Sequence, residues 1–121
     1  MLSLNATAGC PTKFGRLLIC EDYPGMRDAF DLMLGDRYEL AFVDSQEEIV
    51  PFLAQFPVRL VIWDLNRGGN PLQVLRRSRR IFPELRILLI AGEFEYDFQI
   101  AAIQQCGDVR FLTKPWKSTA G

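Results

Sequence analysis

The chain has 121 residues, of which 49% are hydrophobic, so it can form one domain with a real core and is not a disordered polymer. Fourteen lysines and arginines stand against fifteen aspartates and glutamates, leaving a net charge of −1. That balance gives no global pull toward nucleic acid or an anionic membrane, so neither is expected as a direct partner. There is no histidine, which excludes imidazole acid–base catalysis, imidazole zinc sites and a phosphohistidine carrier. The three cysteines, Cys10, Cys20 and Cys106, are odd in number and form no CxxC. A reduced, cytoplasmic protein is the simplest reading.

Residues 1–13 are small and polar, with neither a basic nor an apolar signal-peptide region. They are expected to be a flexible tail or an expression remnant, with one domain over 14–121. No apolar run approaches the ~20 residues needed to span a bilayer.

The first short apolar run, Arg16–Cys20, predicts a strand, and Met26, Phe30, Met33 and Leu34 follow at helical spacing. Glu39–Val43 predicts the second strand, with Ile49, Phe52 and Leu53 marking the second helix. Val58–Trp63 predicts the third, followed by Leu72, Leu75 and Phe82 on a helix with Ile81 near its end. That helix carries a basic run, Arg76, Arg77, Arg79 and Arg80, which reads either as a solvated face or as a seat for an acidic partner. Arg86–Ile90 predicts the fourth strand, with Phe98, Ile100, Ala101 and Ile103 on a fourth helix, and Val109–Thr113 predicts the fifth strand. Pro24-Gly25, Gly35-Asp36, Gly68-Gly69-Asn70-Pro71, Pro83 and Gly107-Asp108 punctuate these pieces. Only eight residues follow Thr113, so the fifth helix is expected to be short or missing.

Strand–helix alternation implies parallel strands joined by right-handed crossovers. The expected fold is α/β, a doubly wound five-stranded parallel sheet in the flavodoxin-like order 2-1-3-4-5. In that order the first and third strands are neighbours, and ligands bind at the carboxyl ends of the strands. The first strand ends in Glu21-Asp22, the third in Asp64 and the fifth in Lys114-Pro115. One rim therefore receives three carboxylates and a lysine, a formal charge of −2. A hard divalent cation such as Mg²⁺ would neutralise it, because Mg²⁺ takes oxygen ligands and keeps several waters. The chemistry such a rim supports is phosphoryl transfer onto Asp64, with the cation and Lys114 balancing charge on the transferred oxygens.

Three segments, in order, are similar to one family. Leu17-Leu18-Ile19-Cys20-Glu21-Asp22-Tyr23-Pro24-Gly25-Met26-Arg27 resembles the opening of response-regulator receiver domains. Leu60-Val61-Ile62-Trp63-Asp64-Leu65-Asn66 resembles their phosphoacceptor strand, and Phe111-Leu112-Thr113-Lys114-Pro115 their last strand with its lysine and typically cis proline. The resemblance covers about residues 14 to 117. It implies a CheY-like fold and a two-component signalling module rather than a turnover enzyme. A histidine kinase or phosphotransfer protein would be the donor and Mg²⁺ the cofactor. Asp64 would be the phosphoacceptor, Glu21, Asp22 and Asp64 metal ligands with the backbone carbonyl of Asn66, and Lys114 the charge-balancing catalytic residue. It further implies that the fourth-helix and fifth-strand face docks an output domain or a second copy. Trp116 resembles receivers joined to cyclic-dinucleotide phosphodiesterase or kinase modules.

One departure concerns the switch. Receivers usually carry Thr or Ser at the end of the fourth strand, just before a small residue. Here that hydroxyl position falls on Ile90, which cannot donate to a phosphoryl oxygen, and the switch aromatic falls on Phe111. The expectation is a phosphorylatable domain with atypical coupling. The alternative is a pseudo-receiver, the same fold acting as a phosphorylation-independent interaction module. An aspartate-nucleophile phosphatase is disfavoured because Asn66 stands where its second aspartate would be.

Overall fold

Five short runs of branched and aromatic residues pair side by side in the computed structural model, which describes residues 13–65 and 70–114. They are β1 (Arg16–Cys20), β2 (Glu39–Val43), β3 (Leu60–Asp64), β4 (Arg86–Ala91) and β5 (Val109–Thr113). All pairings are parallel and the order is β2-β1-β3-β4-β5, as the alternating pattern predicts. The helices among the described residues are α1 (Pro24–Leu34), α2 (Ile49–Gln55), α3 (Pro71–Ile81) and α4 (Tyr96–Cys106), with a 3-10 turn at Gln46–Glu48. The expected tail at 1–13 lies outside the described residues apart from Lys13. So do Asn66, Pro115, Trp116 and the stretch read as too short for a fifth helix.

Local chemistry sets the helix starts. Pro24 and Pro71 occupy first-turn positions, where a missing N–H costs nothing. The Asn70 side chain accepts the Gln73 N–H at 3.2 Å, and Ser45 and Glu48 form a capping box before α2. Helix α4 ends at Gly107, whose φ of +73° suits a residue without a Cβ.

Two cores lie on opposite faces of the sheet. Leu18, Cys20, Val61, Trp63, Ile87 and Leu89 pack beneath α2, α3 and α4, with Leu53, Leu75 and Ala102 from those helices. Leu17, Ile19, Ile62 and Ile90 pack with Phe30 of α1 on the other face. This division is the two-residue alternation of strands.

Several boundaries differ from the periodicity. Strand β3 starts at Leu60 rather than Val58 and includes Asp64, because its pairing with β1 begins at Leu17 and Leu60. Strand β4 runs on to Ala91, paired with Thr113. Phe82 is not part of α3: it precedes Pro83, which disfavours helical backbone, and it caps the helix in an extended conformation. Met33 is exposed while Met26, Phe30 and Leu34 face inward. On α4 the buried line runs through Phe98, Ala102 and Cys106, at four-residue spacing, leaving Ile100 and Ile103 exposed.

The basic run on α3 is not uniformly a solvated face. The Arg79 guanidinium donates to the backbone carbonyls of Cys106 (2.6 Å), Leu85 (2.5 Å), Pro83 (2.9 Å) and Asp108 (3.2 Å). It ties the end of α4 to the segments leading into β4 and β5. Arg76 donates to Gln105. Arg79→Ala is expected to lower unfolding free energy by about 2–3 kcal/mol, because it leaves several carbonyls without a charged donor. Urea denaturation checks this as a reduced midpoint at unchanged m-value. Arg77→Ala, on the exposed side of the same helix, is expected to stay within about 0.5 kcal/mol of the parent.

Candidate functional site

Strand order brings the ends of β1 and β3 together at the switch point, and the chain places an acid on each. Glu21 continues the line of β1, donating its N–H to the Val43 carbonyl at 3.0 Å, and it is only 3% exposed. Asp64 closes β3 with a side chain 4% exposed. Leu65 then donates to the Ile90 carbonyl at 2.8 Å, which carries the β3–β4 pairing past the acid. Lys114, one residue beyond β5, donates its backbone N–H to Ala91 at 2.7 Å. Its Nζ reaches Asp64 Oδ2 at 2.6 Å.

The predicted assembly of Glu21, Asp64 and Lys114 is therefore present on one rim. Asp22, half-buried, does not complete a converging set: no cluster of three or more ligand-type side chains occurs among the described residues. Asn66 lies outside those residues.

The acid pair is unbalanced. Glu21 Oε2 accepts the Tyr23 N–H at 3.1 Å, and Lys114 holds Asp64 Oδ2. Glu21 Oε1 and Asp64 Oδ1 are both buried without a hydrogen-bond partner. Burial is the chief cause that pushes the Glu21 carboxyl above the usual carboxylate range. The nearby Asp64 carboxyl, which Glu21 could bond only when protonated, and that group's charge add to the rise, against the Tyr23 N–H and Lys114. One proton shared between the two carboxyls relieves the conflict, and so does one cation. Two orphaned acceptor oxygens, one on each of two neighbouring acids, are a donor set that fits a hard oxygen-seeking cation. The same surroundings make the neighbouring thiol inert. Burial, and then the charges on Glu21, Glu48, Asp64 and Asp22, push Cys20 up to about 12.

The two switch positions face opposite ways. Phe111 packs against the core under α2–α4, where its ring meets Phe94 edge-on at 5.1 Å between centroids. Ile90, 2% exposed, lies in the α1-side core. The register puts Ala91, not Ile90, at the strand end on the Phe111 side, beside Thr113 and Lys114. Neither Ala91 nor Ile90 has a hydroxyl.

Sequence reasoning missed Arg27. Its Nε donates to the Glu21 carbonyl at 2.6 Å, its guanidinium pairs with Asp44, and it lies over the Phe42 ring at 5.2 Å. The available signal was a basic residue in the first turn of the helix that follows Glu21-Asp22.

No family model matches the chain. Among curated proteins it is 28% identical over 106 residues to the transcriptional regulatory protein AruR of Pseudomonas aeruginosa, covering 83% of this chain and 43% of that protein. It is 25% identical over 105 residues to the hydrogenase transcriptional regulatory protein HoxA of Cupriavidus necator, covering 86% of this chain and 22% of that protein. The chain thus spans less than half the length of either relative. Among solved structures, it superposes with a TM-score of 0.75 on the CheY-like receiver domain protein of Methanospirillum hungatei, at 16% identity over 85% of this chain and 83% of that one.

Because Glu21 is destabilised by its own charge, Glu21→Gln is expected to stabilise the metal-free protein at neutral pH. A raised carboxyl binds its proton more tightly in the folded than in the unfolded state. Its stabilising contribution is thus present in acid and is lost as pH rises from the ordinary carboxylate range through the raised value. The advantage of Glu21→Gln should therefore be absent in acid and grow as pH rises toward 8. Melting both proteins in chelator across that range measures it. An advantage largest in acid would contradict the assignment.

Proposed function

We propose that the chain is a response-regulator receiver domain of CheY-like type, a reading that its fold and its distant relatives support, in which Asp64 accepts a phosphoryl group with Mg²⁺ as cofactor. The observation that carries this reading is the buried Glu21–Asp64 pair with an orphaned oxygen on each acid and Lys114 on the far oxygen of Asp64. Glu21 and Asp64 would hold the cation, with Asp22 and the Asn66 backbone carbonyl as further ligands. Bound there, Mg²⁺ would supply positive charge for the transferred oxygens.

The chain's own residues divide the work. A carboxylate oxygen of Asp64 is the nucleophile. It forms the new P–O bond as the P–N bond of a phosphohistidine donor breaks, with the electron pair staying on the donor imidazole. Lys114, already at Asp64, turns its ammonium to a phosphoryl oxygen and keeps the developing charge balanced. The module is a signalling acceptor, and the donor is a histidine kinase or a phosphotransfer protein. Free buried thiols at Cys20 and Cys106 are in keeping with a reducing, cytoplasmic setting. No helix among the described residues is long and apolar enough to cross a membrane.

Output would leave through α4 and β5. Tyr96, Ile100 and Ile103 of α4 are exposed apolar groups, with Ile103 50% accessible, a surface suited to an output domain or a second copy. With no hydroxyl at Ala91 or Ile90, the direct link from the β4–α4 loop to β5 is the Phe94–Phe111 ring contact, so coupling is atypical. That same missing hydroxyl favours the second reading, a pseudo-receiver that docks partners without phosphorylation.

Intact mass after incubation with acetyl phosphate and Mg²⁺ tests the proposal. The expected result is one added phosphoryl group, lost in chelator and in Asp64→Ala. If the wild type gains nothing and also binds neither Mg²⁺ nor beryllofluoride, the pseudo-receiver reading replaces this one.

A further inference from the structure

Glu21 and Asp22 are consecutive acids on a turn that must hold them near a third, although like charges drive them apart. Two contacts made within and beside the turn are ordinary: Glu21 N–H to Val43 and Tyr23 N–H to Glu21 Oε2. A further one comes from α1. Arg27 Nε grips the Glu21 carbonyl at 2.6 Å, and the other arm of the same guanidinium pairs with Asp44, just beyond β2. The Phe42 ring lies against the guanidinium, with its centroid 5.2 Å from the Arg27 Cζ. One planar fork therefore joins the β1 turn, the end of β2 and the first turn of α1, a geometry an ammonium cannot reproduce.

We infer that Arg27 is a positioning residue for the cation site: by fixing the Glu21 carbonyl it sets where the Glu21 and Asp22 carboxylates stand, although it ligates nothing itself. The inference rests on the magnesium reading above. A purely stabilising role is a poor account of the Asp44 arm. The Asp44 partner is 73% exposed, and exposed ion pairs contribute little to folding. What the fork does contribute is geometry, and residues that orient metal ligands from outside typically change affinity about 10–100-fold when removed.

The test is a Mg²⁺ titration of the full chain, followed by tryptophan fluorescence, since Trp63 directly precedes Asp64 and is buried. Isothermal calorimetry gives an independent readout, and each variant is also melted. Arg27→Ala should weaken Mg²⁺ binding about tenfold. Asp44→Ala should weaken it less, and the double variant should lose little more than Arg27→Ala, because both act through one guanidinium. Arg79→Lys is the control: it loosens the opposite edge of the sheet and should lower the melting temperature without moving Mg²⁺ affinity. Should Arg27→Ala fail to fold, Arg27→Lys keeps charge and stem, and a threefold or greater loss of affinity then supports the inference. A folded Arg27 variant within twofold of wild type overturns it. So does an equal loss of affinity in Arg79→Lys. A wild type that binds no Mg²⁺ by either readout overturns the magnesium reading and this inference together, whereas normal wild-type binding with an indifferent Arg27 removes only the latter.

Discussion

Two carboxyl groups buried side by side at the carboxyl edge of a parallel sheet are costly, and much of the rim is arranged around that cost. Glu21 and Asp64 are nearly inaccessible, each with an oxygen that no protein donor reaches. An apolar sheet does not offer such a place to acids without compensation. Compensation comes from two directions: Lys114 on Asp64 and the Tyr23 amide on Glu21. What remains uncompensated is one oxygen on each acid, and that residue of instability is what a cation or a shared proton would relieve. The site is poised because it is incompletely satisfied, a common way for a functional site to differ from a structural one.

The two faces of the sheet carry different duties. The face under α2, α3 and α4 holds the larger core and the aromatic contact between Phe94 and Phe111. The face under α1 is built from Leu17, Ile19, Ile62 and Ile90 with Phe30. Lys114 connects the two duties. Its side chain belongs to the acidic site and its backbone is bonded to Ala91 at the start of the loop that carries Phe94. The contacts between the acidic rim and the loop before α4 thus run through this backbone bond and the Phe94–Phe111 ring pair. At the opposite edge, Arg79 ties the end of α4 to the starts of β4 and β5.

Arginine is used here where its planar fork matters more than its charge. Arg27 and Arg79 each bridge segments far apart in sequence, by donating to carbonyls. A net charge near zero hides this, because composition counts charges without saying which of them are spent on backbone acceptors.

Much of the site was legible in the chain itself, for a topological reason. Short apolar runs alternating with helical periodicity force a parallel, doubly wound sheet, and such a sheet delivers the residues at and just after each strand end to one rim. Glu21, Asp64 and Lys114 are those residues, so their meeting follows from order and spacing alone. Tertiary structure decided the rest. Whether Ile90 or Ala91 stands on the Phe111 side depends on where β4 ends and how it pairs, and a one-residue difference turns a side chain to the other face. The partners of Arg27 and Arg79 lie on other elements, and nothing local announces them. The burial that lifts Glu21 above an ordinary carboxyl likewise exists only once both cores have closed around the strand ends. Sequence determined which groups arrive at the rim; packing determined how dry they are, which way they face and what holds them there.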